Sequence, residues 1–129
     1  MAEIKIRELS VGDWVRYRDA DANVRVSSIY SDGYVFIVGE EDSGISESVN
    51  AHHHIEPIPL TPEILEKNGI SKTYESDEYA VYKGEGFNVT EYYTELWEFE
   101  KHRNRLMIRN VHQLQHALRL AGVEKEIEL

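Results

Sequence analysis

The chain contains no cysteine. That absence excludes disulfides, thiolate metal sites and cysteine nucleophiles together, and it fits a reducing compartment. Proline is confined to Pro57, Pro59 and Pro62, so stiff, donor-free backbone is expected in one short stretch only. No apolar run approaches the roughly 20 residues that span a bilayer. The opening Met1-Ala2-Glu3-Ile4-Lys5-Ile6-Arg7 lacks the apolar region of a secretion signal. Both absences read as a cytoplasmic protein with no membrane partner. Positive charge is scarce too: 14 Lys or Arg stand against 24 Asp or Glu, a formal net charge of −10. Phosphate neutralisation supplies most of the affinity of nucleic-acid binders, so extended nucleic acid is excluded as a partner.

What positive charge there is gathers in one place. Lys101 to Leu120 carries five Lys or Arg, three His and no carboxylate, whereas the other 109 residues hold nine basic against 24 acidic side chains. Such a separation describes a surface that receives an anion, an acidic partner, or the protein's own acidic part.

At 129 residues the length fits one compact unit, read as two lobes packed together, residues 1–57 and 58–129. In the first lobe Asp13 to Tyr17, Val24 to Tyr30 and Tyr34 to Val38 alternate as short strands. Ser31-Asp32-Gly33 is a hairpin turn between them, because glycine admits the positive φ the turn needs. Ile45 to Ile55 reads as one or two weaker strands. Five strands in this space predict a small SH3-like β-barrel or bent sheet. Pro57 and Pro59 then make a stiff connector. Thr61 caps a helix of two turns at most, with Pro62 at its first position and Gly69 as its left-handed stop.

From about Tyr74 to Arg109 a second antiparallel sheet is expected, with strands at Tyr79 to Tyr82, Phe87 to Val89, Tyr92 to Glu100 and Arg105 to Arg109. Asn110-Val111-His112-Gln113 predicts a capping box. Val111, Leu114, Leu118 and Ala121 form a narrow apolar stripe on the C-terminal helix, and Gly122 stops it. The fold class is α+β.

Strand parity places Arg103, Arg105 and Arg109 on one outward face around Met107, with Leu106 and Ile108 turned inward. On the following helix His112, His116 and Arg119 stand at i, i+4 and i+7, opposite the apolar stripe and facing solvent or a partner. Guanidinium forks bind carboxylates and phosphates bidentately, and imidazoles add donors whose charge an anion sets. These six residues are the candidate ligand-binding site of a non-enzymatic protein. Phosphate or a small nucleotide is the natural ligand. A protein-interaction or inhibitor module forming a homo-oligomer through the charge asymmetry is the alternative. A plainer reading pairs the arginines with Glu91, Glu95, Glu98 or Glu100 one strand earlier, and gives Arg119 to the helix dipole.

Other constellations carry less. His52-His53-His54 on a strand puts two imidazoles on one face, but no third ligand stands at a recognised spacing, so no metal is assigned. There is no nucleophile elbow and no phosphate-binding glycine loop, so no catalytic residue or cofactor is assigned. Tyr74, Tyr79, Tyr82, Tyr92, Tyr93 and Trp97 could stack bases, but such residues are more often sheet core and cross-strand pairs; Trp97 reads as core, while Tyr92 and Tyr93, adjacent on a strand and so facing opposite sides, stay open.

Ile55-Glu56-Pro57-Ile58-Pro59-Leu60-Thr61 with Glu63-Ile64-Leu65 and Gly69-Ile70, followed by Val111-His112-Gln113-Leu114-Gln115, resembles a group of small uncharacterised proteins of Bacteroidetes genomes, phages and mobile elements. The opening Leu9-Ser10-Val11-Gly12-Asp13-Trp14-Val15 is similar too. The stretch from His116 to Glu124 departs from that group, whose members continue with Asn-Leu-Tyr and then Leu-Thr-Gly-Glu-Glu-Leu. The resemblance implies a cytoplasmic bacterial or phage setting and an accessory role; joined to the basic strip, it makes sequestering a nucleotide signal one such role. It carries no catalytic residue with it.

Overall fold

The computed structural model describes residues 4–93 and 96–129, which divide into two compact units, Met1–Ile58 and Pro59–Leu129. The first unit holds β1 (Trp14–Tyr17), β2 (Ala22–Ile29), β3 (Tyr34–Val38), β4 (Ser46–Asn50) and β5 (Ile55–Glu56) in one antiparallel sheet of order β4-β3-β2-β1-β5. Alternation decides its core. Val15 and Tyr17, Val24 and Val26, and Val35 and Ile37 all turn to the buried side, joined by Ile4, Leu9, Val49, Ala51 and Ile55. Gly33 takes φ 90° in the β2–β3 hairpin, where Tyr30 N–H donates to the Tyr34 carbonyl at 2.9 Å.

The sheet remains open: among the described residues β4 and β5 are its two ends, and no barrel closes. Between them lies a single helical turn, α1 (Ala51–His54), where a strand was expected. Asn50 is the reason, since its side chain accepts from His53 N–H at 3.3 Å and draws the backbone into a turn. His52, His53 and His54 therefore fan around a helix axis and do not share a strand face.

The second unit opens with α2 (Pro62–Lys67). A meander of β6 (Ser71–Glu75), β7 (Tyr79–Lys83), β8 (Asn88–Tyr92), β9 (Leu96–Lys101) and β10 (Asn104–Ile108) follows, and α3 (Val111–Leu120) closes the series. The strands pair in chain order as an antiparallel sheet, β10-β9-β8-β7-β6. Its buried face carries Tyr82, Val89, Trp97, Phe99 and Ile108, with Tyr82 against Trp97 at 5.9 Å and Phe87 against Phe99 at 5.4 Å between ring centroids. Leu65 of α2 and Val111, Leu114, Ala117 and Leu118 of α3 are buried as well.

Local chemistry sets both helix ends. Thr61 Oγ1 accepts from Ile64 N–H at 3.2 Å to start α2. Each helix stops in a Schellman arrangement, with Ile70 N–H reaching the Leu65 carbonyl and Val123 N–H the Leu118 carbonyl, both at 2.9 Å. Beyond α3 the chain folds back: Ile127 is buried, and the Asn68 amide exchanges bonds of 2.7 and 2.8 Å with the backbone of Glu128.

Candidate functional site

β9 and β10 meet in a two-residue turn. Lys101 pairs with Asn104, and His102 takes φ 58°, a left-handed setting that glycine usually fills at the first position of such a turn. Arg103 thus stands at the hairpin tip and not on the strand face that parity assigned to it. Arg105 does lie on β10, directly across from Glu100, and its Nε donates to Glu100 Oε2 at 2.8 Å. At this residue the plainer cross-strand pairing is realised. Glu98 faces Met107, and Glu95 lies outside the described residues. Among the described residues no carboxylate is within ion-pair distance of Arg103 or Arg109.

Arg109 acts through its backbone. Its N–H donates to Gln113 Oε1 at 2.7 Å, and the same oxygen takes Asn110 N–H at 3.1 Å, the glutamine half of the expected capping box. On α3 the histidines correct the outward reading. His112 is only 2% exposed, His116 is half-buried, and their ring centroids lie 5.7 Å apart edge to face. A one-sided stripe describes a helix with one face in water. That holds for the second half of α3, where Arg119 is exposed, but the first turn is enclosed on both sides of Val111 and His112.

Of the six sequence-derived residues, then, Arg103 and Arg105 share the hairpin, Arg109 follows it, and His112 is withdrawn from the surface. The structure adds a cavity of about 410 Å³ between the hairpin and the end of α3. Phe99, Leu106, Ala117 and Leu120 form its apolar side and Lys101 and His102 its basic one; Arg105 also lines it, while its side chain turns to Glu100 on the other face of β10. Leu106 turns inward opposite Phe99 as parity requires, yet it lies at the margin of the core and is 42% exposed. Lys101 Nζ donates to the Ala121 carbonyl at 2.7 Å, complementing the negative end of the helix. Lys101 and His102 escaped the site assignment because their neighbours in the cavity are brought to them by the return of α3, a tertiary event without a local signature.

A second grouping sits elsewhere on the same sheet. Period two puts Glu91 on the inward side of β8 with Val89, opposite Ala80 and Trp97. Burial raises the Glu91 carboxyl above its usual range; Glu63 and Glu75 raise it further, while Lys72 and a hydrogen bond with Tyr82 oppose them. Burial, with the charge of Glu91 next, pushes the Tyr82 phenol up to about 12. Lys72 Nζ lies 3.4 Å from Glu75 Oε2 and 5.9 Å from the Tyr82 ring centroid. In the first unit Tyr17 is likewise pushed up to about 12, by a hydrogen bond to Glu47 ahead of burial. The alternation of Val89 and Glu91 was the available signal for the inward carboxylate. Among the described residues no three His, Asp or Glu side chains converge as metal ligands.

No family model, curated protein or solved structure matches this chain, and no enzyme family is identified for it. Among the described residues no helix is long and apolar enough to cross a membrane.

Proposed function

We propose that this is a non-enzymatic binding protein of the bacterial or phage cytoplasm that receives an anionic ligand at the β9–β10 hairpin. The supporting observation is the cavity of about 410 Å³ beside Lys101 and His102, with Arg105 on the adjoining outer face of β10, on a chain of net charge −10. A local positive field on a negative background steers an anion to one place. Arg103 at the tip strengthens that field, and Arg109, His116 and Arg119 extend it along β10 and α3. A small nucleotide suits the lining: phosphate at the basic side, base against Phe99 and Leu106. Thermal melts against mononucleotides, cyclic nucleotides and inorganic phosphate test the reading. A ligand at 100 times its Kd adds about 2.7 kcal/mol, and each kcal/mol moves a domain of this size by roughly 3–6 °C. Changing Arg103, Arg105 and Arg109 together to Ala is expected to abolish the rise. A flat response from the folded wild-type protein removes the nucleotide.

A specific observation favours a second reading, a protein-interaction module. Leu106, Met107 and Leu120 are 42%, 53% and 81% exposed, and Leu106 and Leu120 line the same cavity. If copies of the chain associate there through opposite charges, sedimentation will show an assembly that weakens as salt rises.

A further inference from the structure

The edge of β10 narrows the class of ligand. Among the described residues β10 ends its sheet and pairs with β9 alone. Arg109, just past it, shows which backbone groups face outward. Its N–H goes to Gln113 Oε1 at 2.7 Å and its carbonyl accepts from Leu60 N–H at 3.0 Å, so both point away from β9. Backbone groups alternate in direction along an antiparallel strand. Met107 and Arg105 therefore present their N–H and C=O groups on that same outer edge.

The chain begins to cover this edge and then leaves it. Pro59 bridges Asn110 in the antiparallel sense, and Leu60 adds its bond to Arg109. In that register Thr61 and Pro62 would come next, opposite Ile108 and Met107. Thr61 instead caps α2, and Pro62 has no N–H to donate. The covering segment departs after two residues, and residues 104–107 stay exposed.

We propose that an extended acidic peptide from a partner protein completes this edge, adding as a strand beside Arg105 and Met107. The inference rests on the anion-binding reading above and specifies its ligand. Strand addition draws affinity from main-chain hydrogen bonds and specificity from pockets for alternate side chains. Side chains of the added strand would alternate between two environments. One set lies beside Leu106 and enters the apolar part of the 410 Å³ cavity. The other runs beside Arg105 and toward Arg103, where carboxylates are held. Arg105 has five N–H donors, and its bond to Glu100 uses Nε, leaving the fork's other donors to reach a second carboxylate. A second copy of β10 is a poor occupant, since self-pairing sets arginines against arginines. Charged side chains also guard exposed edges against pairing. A guarded edge, however, has no use for the adjoining cavity of Phe99, Leu106 and Leu120.

The probe is a blocked, fluorescently labelled peptide of about nine residues alternating Glu and Leu, titrated by anisotropy against the full chain. Its partner probe carries N-methyl groups at alternate residues, which keep the charge and remove the ladder donors; inorganic phosphate and a mononucleotide form separate arms. Binding of the plain peptide is expected, weakened about tenfold or more (about 1.4 kcal/mol) by N-methylation, by Arg105→Ala, and by Met107→Pro, which deletes an outer-edge donor and spares the β9 ladder. Equal binding of the methylated peptide overturns strand addition and leaves a charge-only anion site. Binding of phosphate or nucleotide without peptide also overturns the inference while the anion reading stands. No binding by any probe overturns both. If Met107→Pro does not fold, the comparison of the two peptides decides alone.

Discussion

Arg105 and Glu100 face one another across the β9–β10 ladder, Nε 2.8 Å from Oε2. Here the basic segment is answered by the chain's own acid. It is also solvated, with 66% of the arginine side chain and 30% of the glutamate side chain exposed. Such pairs contribute under about 1 kcal/mol. Glu100→Gln is therefore expected to leave the melting temperature nearly unchanged. Affinity for an anion at the hairpin should rise severalfold, because a competing carboxylate is gone. Calorimetric titration beside a melt separates the two effects.

Gln113 binds the N–H groups of both Arg109 and Asn110, so one side chain ends β10 and starts α3. Gln113→Ala strips the helix of that partner and is expected to lower stability by about 1–2 kcal/mol in denaturant unfolding. Gln113→Glu keeps the acceptor at the positive end of the helix and should stay close to wild type.

Glu91 gives a pH signature. Its folded-state pKa lies above the ordinary value, chiefly through burial, so ionising it weakens the fold. The group's contribution is fully present below its unfolded pKa and is lost as pH rises through the folded one. Glu91→Gln is expected to melt higher than wild type at neutral pH. The gap should close in acid, below the ordinary value of 4.5. A gap that stays constant with pH would assign the effect to packing.

His102 holds φ 58° without being glycine. A left-handed setting costs an L-residue about 1–2 kcal/mol, so His102→Gly is expected to stabilise the chain by about 1 kcal/mol after the added unfolded-state entropy is counted. If the imidazole contacts the anion, affinity should fall in the same variant, a trade visible in one pair of measurements.

Elements set by local chemistry are legible in the sequence alone. Asp32-Gly33, Thr61-Pro62 with Gly69, and Gln113 with Gly122 each encode a turn or cap within a few residues, and each stands where it was expected. β6 was harder to read because both its faces are exposed and a bulge between Lys72 and Tyr74 breaks its register, leaving no alternation to find. His52 to His54 carry no strand signal of their own, and Asn50 turns the chain into a helical turn just before them. Of the candidate site, the hairpin and the charge of Arg103 and Arg105 were visible in sequence. The burial of His112 and the meeting of Lys101 and His102 with Leu120 depend on how α3 packs, which no window of sequence contains.

The clasp between Asn68 and Glu128 joins residues 60 positions apart, while the core cluster described in the first unit runs from Ile4 to Ile55. Translation therefore meets the two units differently. At roughly 5–20 residues per second, the first sheet has all its strands outside the ribosome while the second is still being made. Ile127 and Glu128 follow Ile58 by roughly 4–14 s at that pace. Until they arrive the second unit lacks the buried Ile127 side chain and the closing bonds of Asn68, so its nascent meander waits unlatched.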